Sequence, residues 1–397
     1  MPSLISWLDA STDENTRMRE LVKLFGSPET TDDLGTGQVR DVISNSLFPG
    51  TSVLHAGARY MLLVPWAYLS SYRRGMDPDR SRANAEEAER RLIERFRELG
   101  MESFIGRDAG RNVQQLPSGA YWSALRTYGI VSSELNRATV TQAMSVSGMD
   151  SEADETSFVW HPTLPEWPEG FPRSEERGLE LSVEEARWLQ ERILATCEGT
   201  LLAHIMTAGG QPTSGSPYPW ADSGCKAVGG EAAQWLRDAE LFSFIHHGAN
   251  ILYNHLVAEA VARDVPDAGL DAVEHTATLL DNWEQQRPGK QELLAAWDVE
   301  DFLRRAKEKN RNISTLTMEF VRVMTDAARD TRELVDNEDL RAAVMKREML
   351  MKKANSRFRH QRRLRNWQPP NDVAAIGFRW TAVRRTALDI HEGLSRA

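Results

Sequence analysis

Apolar side chains in this chain return at intervals of three and four residues, and no stretch alternates apolar with polar convincingly over the length of a strand. That period gathers apolar groups on one face of an α-helix and scatters them in a strand, so it restricts the chain to an all-α fold. The same segments carry start and stop signals. "STDENTRMRELVKLFG" has capping-box spacing from Ser11 to Glu14, then Met18, Leu21, Val22 and Phe25 at helical intervals, and Gly26 to close it. Ser182 and Glu185 repeat the box in "SVEEARWLQERILATCEG". "TGQVRDVISNSLFPG" predicts a shorter helix stopped before Pro49 and Gly50. "SVLHAGARYMLLVPWAYLSSYRR" is apolar almost all round, which predicts a buried helix kinked at Pro65. "NAEEAERRLIERFRELG" predicts an amphipathic surface helix ending at Gly100, and "LPSGAYWSALRTYGI" a short one with a Tyr-Gly turn. Further helices are predicted over 231–263, 270–286, 299–335, 339–358 and 380–394.

Two Pro/Gly-rich loops, "HPTLPEWPEGFPRSEER" and "GGQPTSGSPYPWADSG", interrupt the helices. The expectation is a multi-helix globular protein with long loops and little or no strand. Its three consecutive parts are an N-terminal helical domain (1–165), a central helical domain (181–340) and a basic C-terminal helical segment (341–397). Twelve tryptophans favour a folded and partnered protein over a disordered one. Cys197 and Cys225 form no C-x-x-C pair, which argues against a disulfide scaffold and a cysteine-rich zinc site. The N-terminus lacks the basic start and apolar run of a signal peptide, and "ARYMLLVPWAYL" is shorter than the roughly 20 residues of a membrane span. The expected location is the cytoplasm, with no membrane partner.

Charge is unevenly distributed. The chain has a formal net charge of -10, yet residues 341–397 hold 14 Lys+Arg against 4 Asp+Glu, a balance of +10. The remainder is therefore at -20. Ten of the cations fall between Arg341 and Arg365, with Glu348 as the single acid. Lys352, Lys353, Arg357, Arg359, Arg362, Arg363 and Arg365 are candidates for phosphate contacts, because guanidinium forks suit phosphate oxygens and neutralising phosphates releases counterions. Phe358, His360 and Trp367 lie among them as candidate stacking groups. The competing reading is a helix end docked on the acidic body of the same chain.

Two further constellations carry chemistry. Arg385 and His391, in "RRTALDIH", have the R-x(4–6)-H spacing and resemble the motif of HEPN-family ribonucleases, all-helical enzymes that cleave RNA without metal at a dimer interface. In that reading His391 is the acid or base and Arg385 stabilises the phosphorane. Thr386 stands where such enzymes often carry a polar Asn, Asp or His, and the alternative makes both residues ordinary helix positions. In "FIHHGANILYNHLVAE", His247, His255 and Glu259 could supply metal ligands, against a reading as hydrogen-bonded core groups, with Gly248 permitting close helix approach. No P-loop, dinucleotide fingerprint, nucleophile elbow or phospholipase D-type H-x-K pair is present, and no cofactor is expected.

The stretches "SLISWLDASTDENTRMRELVKLF", "LFPGTSVLHAGARYMLLVPWAY", "FSFIHHGANILYNHLVAEA" and "RWTAVRRTALDIHEGL" together resemble a bacterial family known only as a domain of unknown function. The resemblance implies a phage-defence setting beside SNF2-type helicases and phospholipase D-like nucleases, with Azaca-type systems as one home. It supplies no catalytic residue. The expected function is a non-enzymatic helical scaffold or adaptor of such a system that contacts DNA, RNA or a helicase or nuclease subunit through its basic face. Self-association is compatible with it. The alternatives are a HEPN-like ribonuclease and a structural protein whose basic segment is satisfied internally.

Overall fold

A computed structural model describes residues 32–147, 159–265 and 270–396. Among these residues the only β pairing is a single antiparallel bridge, Val131 to Trp160, so the fold is all-α. In chain order the helices are α1 (Gly37–Leu47), α2 (Tyr60–Ser71), α3 (Pro78–Glu98), α4 (Pro117–Thr127), α5 (Val140–Ser147), α6 (Val183–Thr196), α7 (Leu201–Ile205), α8 (Ser223–Lys226) and α9 (Gly230–Asp264). They continue with α10 (Leu270–Gln286), α11 (Gln291–Ala296), α12 (Val299–Lys309), α13 (Thr315–Arg329), α14 (Glu338–Lys352), α15 (Gln361–Arg365) and α16 (Trp380–Ser395). The helix expected from Ser11 to Gly26 lies outside the described residues.

Local chemistry sets the ends. The Asp32 carboxylate accepts from the backbone N–H groups of Thr36 and Gly37 at 2.7 and 2.9 Å, where α1 begins. Asp77 does the same for Asp79 and Arg80 at the head of α3, with Pro78 as the first helical residue. Ser182 and Glu185 form both halves of the capping box on α6. Gly100 and Gly129 take φ of +67° and +64° to turn the chain after α3 and α4. Two expected helices are shorter than the periodicity suggested. The 299–335 run breaks after Lys309, and Ser314 restarts it as α13 by accepting from the Thr317 N–H. The 339–358 run ends at Lys352.

Contacts divide the chain into two compact units, one from the described residues of Leu47–Ala232 and Arg379–Ala397, the other from those of Gly26–Ser46 and Ala233–Phe378. Each draws on distant parts of the sequence. In the first unit, α2 packs on α3 and α4, and α6 packs on α16. Tyr60 to Tyr68 are buried throughout, with Pro65 inside the helix. Arg59, at the head of α2, is fully buried. Its guanidinium is held by Glu175 at 2.7 Å, Glu185 at 3.1 Å and the Gly178 carbonyl at 2.8 Å. In the second unit α13 packs on α11, α12 and α14. Trp283 stacks on Phe244 with ring centroids 4.5 Å apart. Gly248 makes room for it, since a Cβ there would come within 2.7 Å of the Trp283 ring.

Candidate nucleic-acid interface

The basic segment belongs to the second unit. It runs along α14, through an open stretch, and into the five-residue α15. Its first cations face inward. Arg341 pairs with Glu259 at 2.7 Å. Arg347 is buried and donates to the carbonyls of Leu34 and Gly35 at 2.7 and 2.8 Å and to the Thr317 hydroxyl at 2.9 Å. Gly35 has φ +67°, and a Cβ on it would meet the Met351 methyl at 2.5 Å, so the left-handed backbone favours glycine where this segment is gripped.

Lys352 and Arg357 converge on Asp33, the lysine in direct contact and the arginine at 3.7 Å. Both also donate to the Tyr253 hydroxyl and lie over its ring, 5.5 and 5.8 Å from the centroid. Burial pushes the Tyr253 pKa well above the usual phenol value, so the hydroxyl stays neutral. One carboxylate therefore faces two cations. Behind them, Glu348 accepts from the Ser356 hydroxyl at 2.6 Å and the Arg357 N–H at 2.8 Å, fixing the path of the chain.

Beyond Arg357 the pattern changes. Lys353, Arg359, His360, Arg362 and Arg365 are exposed, and their side chains make no hydrogen bond or ion pair among the described residues. Buried Leu364 anchors α15. Arg362 and Arg365, three positions apart, share a helix face and repel one another unless an anion lies between them. Arg363 is exposed too, and donates to the neutral Asn355 side-chain oxygen at 2.8 Å. A cleft of about 510 Å³ opens here, lined by Met351, Lys352, Asn355, Arg357, Arg363, Asn366 and Trp367. The candidate stacking groups are less open than expected. Phe358 packs edge-on against Tyr253, with centroids 6.2 Å apart, and Trp367 is only 9% exposed at the cleft wall.

The structure does not bring Arg385 and His391 together. Five residues lie between them, and six helical steps place them about 9 Å apart along α16 and about 120° apart around its axis. Arg385 reaches the Ala56 carbonyl and the Ser103 hydroxyl at 3.4 and 3.3 Å, whereas His391 Nε2 sits 2.7 Å from the Ile205 carbonyl. The perturbed group of this motif is Asp389, between them. Its carboxylate accepts from the Ala58 N–H at 2.8 Å, and burial raises its pKa to about 6. Asp389 borders a smaller cleft of about 370 Å³ with Glu176, Arg177, Glu180, Glu392 and Arg396. There Arg396 pairs with Glu180 and Glu392 at 3.2 and 2.8 Å.

The proposed metal ligands also separate. His247 Nε2 lies 2.5 Å from the Val373 carbonyl. His255 and Glu259 do meet, at 3.3 Å, but Arg341 holds the other Glu259 oxygen. Burial lowers the pKa of both histidines. Among the described residues no three His, Cys, Asp or Glu side chains group so as to hold a metal ion.

Sequence reasoning passed over Asp33, Tyr253, Asn355, Asn366 and Asp389. Asp33 comes from the opposite end of the sequence and carries no local signal. The two asparagines flank the arginines and could have been read with them.

Among the described residues no helix is long and apolar enough to cross a membrane. No curated protein and no solved structure matches the chain. Residues 2–392 match a family described as "Family of unknown function (DUF6361)". That match spans nearly the whole sequence, and the chain belongs to this family.

Proposed function

We propose that this chain is a non-enzymatic helical adaptor that binds nucleic-acid phosphates through Lys353, Arg359, Arg362 and Arg365. The observation that carries the reading is the split within the basic segment. The inner cations are occupied by Asp33, Glu259, Tyr253 and backbone carbonyls, while the outer ones are exposed and have no counter-charge among the described residues. In an acidic protein such a face holds its charge at a cost in self-repulsion, which a polyanion relieves. The internal-clamp reading accounts for the inner group and gives it a role of its own, since it fixes the base from which α15 projects.

An adaptor is favoured over a ribonuclease because Arg385 and His391 serve different neighbours on different sides of α16. In the phage-defence setting that the family resemblance implies, cutting and translocation fall to helicase or nuclease partners, and this chain holds them to DNA or RNA. The triple reversal R359E/R362E/R365E tests the reading in a gel shift. It is expected to abolish retention of duplex DNA or RNA by the wild-type chain while leaving the fold intact, because none of the three exposed side chains makes a hydrogen bond or ion pair among the described residues. Retention equal to wild type would overturn it.

A further inference from the structure

The cleft beside α15 differs from the open face in being concave and pre-organised. Lys352 and Arg357 are held in place by Asp33 and the Tyr253 hydroxyl, so little side-chain freedom remains to be lost when they bind a ligand. Arg363 is steered into the lining by a neutral amide, and no carboxylate among the described residues pairs with it. Among the described residues no carboxylate lines the cleft. The nearest acids, Asp33 and Glu348, stand behind it, tied to Lys352, Arg357 and the 356–357 backbone. Asn355 and Asn366 add two amides that can donate and accept, and Trp367 supplies an aromatic wall. The volume of about 510 Å³ falls in the range of small-ligand sites.

We infer that this cleft binds a nucleoside phosphate bearing a free phosphate monoester, with Lys352, Arg357 and Arg363 on the phosphate and the two asparagines toward the base. A monoester has three free oxygens and suits the three cations that line the cleft, which keep a net charge of +2 after Asp33, whereas an internal phosphodiester has two and shares its charge with a continuous backbone. The source is either the phosphorylated end of a strand already lying on the exposed face or a free mononucleotide. The first case rests on the function proposed above; the second does not.

The full-length chain is titrated with one internally labelled oligonucleotide carrying a 5′-phosphate, a 3′-phosphate or hydroxyls at both ends, and separately with AMP by calorimetry. One phosphate-ended strand is expected to bind roughly tenfold tighter or more than the hydroxyl-ended one, the size of an added charge-assisted contact. Arg363→Gln removes that preference, and Asn366→Ala, also at an exposed position, reduces it. R359Q/R362Q/R365Q weakens all three strands alike and keeps the preference. AMP binding that is lost in Arg363→Gln supports the inference with a free nucleotide as the source. Equal affinity for the three strands with no AMP binding overturns it, as does a preference that survives Arg363→Gln. In that event, retention of strands through the exposed face would leave the proposed function standing. End preference without salt-sensitive binding of internal phosphates would instead remove the function and keep the cleft.

Discussion

Two residues carry strain that can be measured directly. Glu89 is completely buried on α3, and its carboxylate accepts the Ser118 N–H at 2.7 Å at the start of α4. Burial raises its pKa to about 7, against the opposing pull of Ser118 and Arg137. The folded state therefore holds a proton that the unfolded state releases near pH 4.5. Stability falls as pH rises from about 4.5 to about 7 and stays lower above. The shift corresponds to about 3 kcal/mol. Urea denaturation at pH 5 and pH 8 is expected to show Glu89→Gln gaining on wild type by that order as pH rises; a difference independent of pH would contradict the assignment. Lys353 stands at φ 47° and ψ -115°, where L side chains are strained. Lys353→Gly should stabilise the chain by about 1 kcal/mol in the same assay, and a loss of stability would show that the turn is relaxed as it stands.

At the scale of elements, the helices were legible wherever their ends were built from local chemistry. Ser182 and Glu185, Gly100 and Gly129 each signalled a boundary that the backbone obeys. The 299–335 run was misjudged because the apolar period continues across the break, and only Ser314 marks the restart. Long-range pairing had no such signal. Arg59 heads an apolar run and reads as a helix flank, yet it is the buried centre that ties α2 to α6 and to the loop before it, through Glu185, Glu175 and the Gly178 carbonyl. Removing it strands two carboxylates away from water. Arg59→Ala is expected to cost about 3–5 kcal/mol in thermal or chemical denaturation. A loss below about 1 kcal/mol, typical of an exposed pair, would mean that the network is solvated.

For the whole molecule, the sign reversal of charge toward the C-terminus was evident from composition, and the all-α class from the helical period of the apolar residues. What composition could not do was sort the cations. Lys352 and Arg357 belong to an internal clamp only because Asp33 folds back onto them, while Arg359, Arg362 and Arg365 are left exposed by the placement of one buried leucine, Leu364. The inner cations fit the internal clamp, and the outer ones carry the nucleic-acid reading proposed above. The same holds for the Arg385/His391 and His247/His255/Glu259 spacings. Spacing along one helix says which side chains could share a face, but neighbouring backbone carbonyls take His391 and His247 separately.

The central claim is that three exposed arginines contact phosphates, and the salt dependence of binding tests it most directly. For duplex DNA the slope of log K against log salt is about -0.9 per phosphate neutralised. The R359Q/R362Q/R365Q variant is predicted to bind with a slope shallower than wild type by about 3. Equal slopes for the two proteins, or wild-type binding that does not respond to salt, would contradict the account.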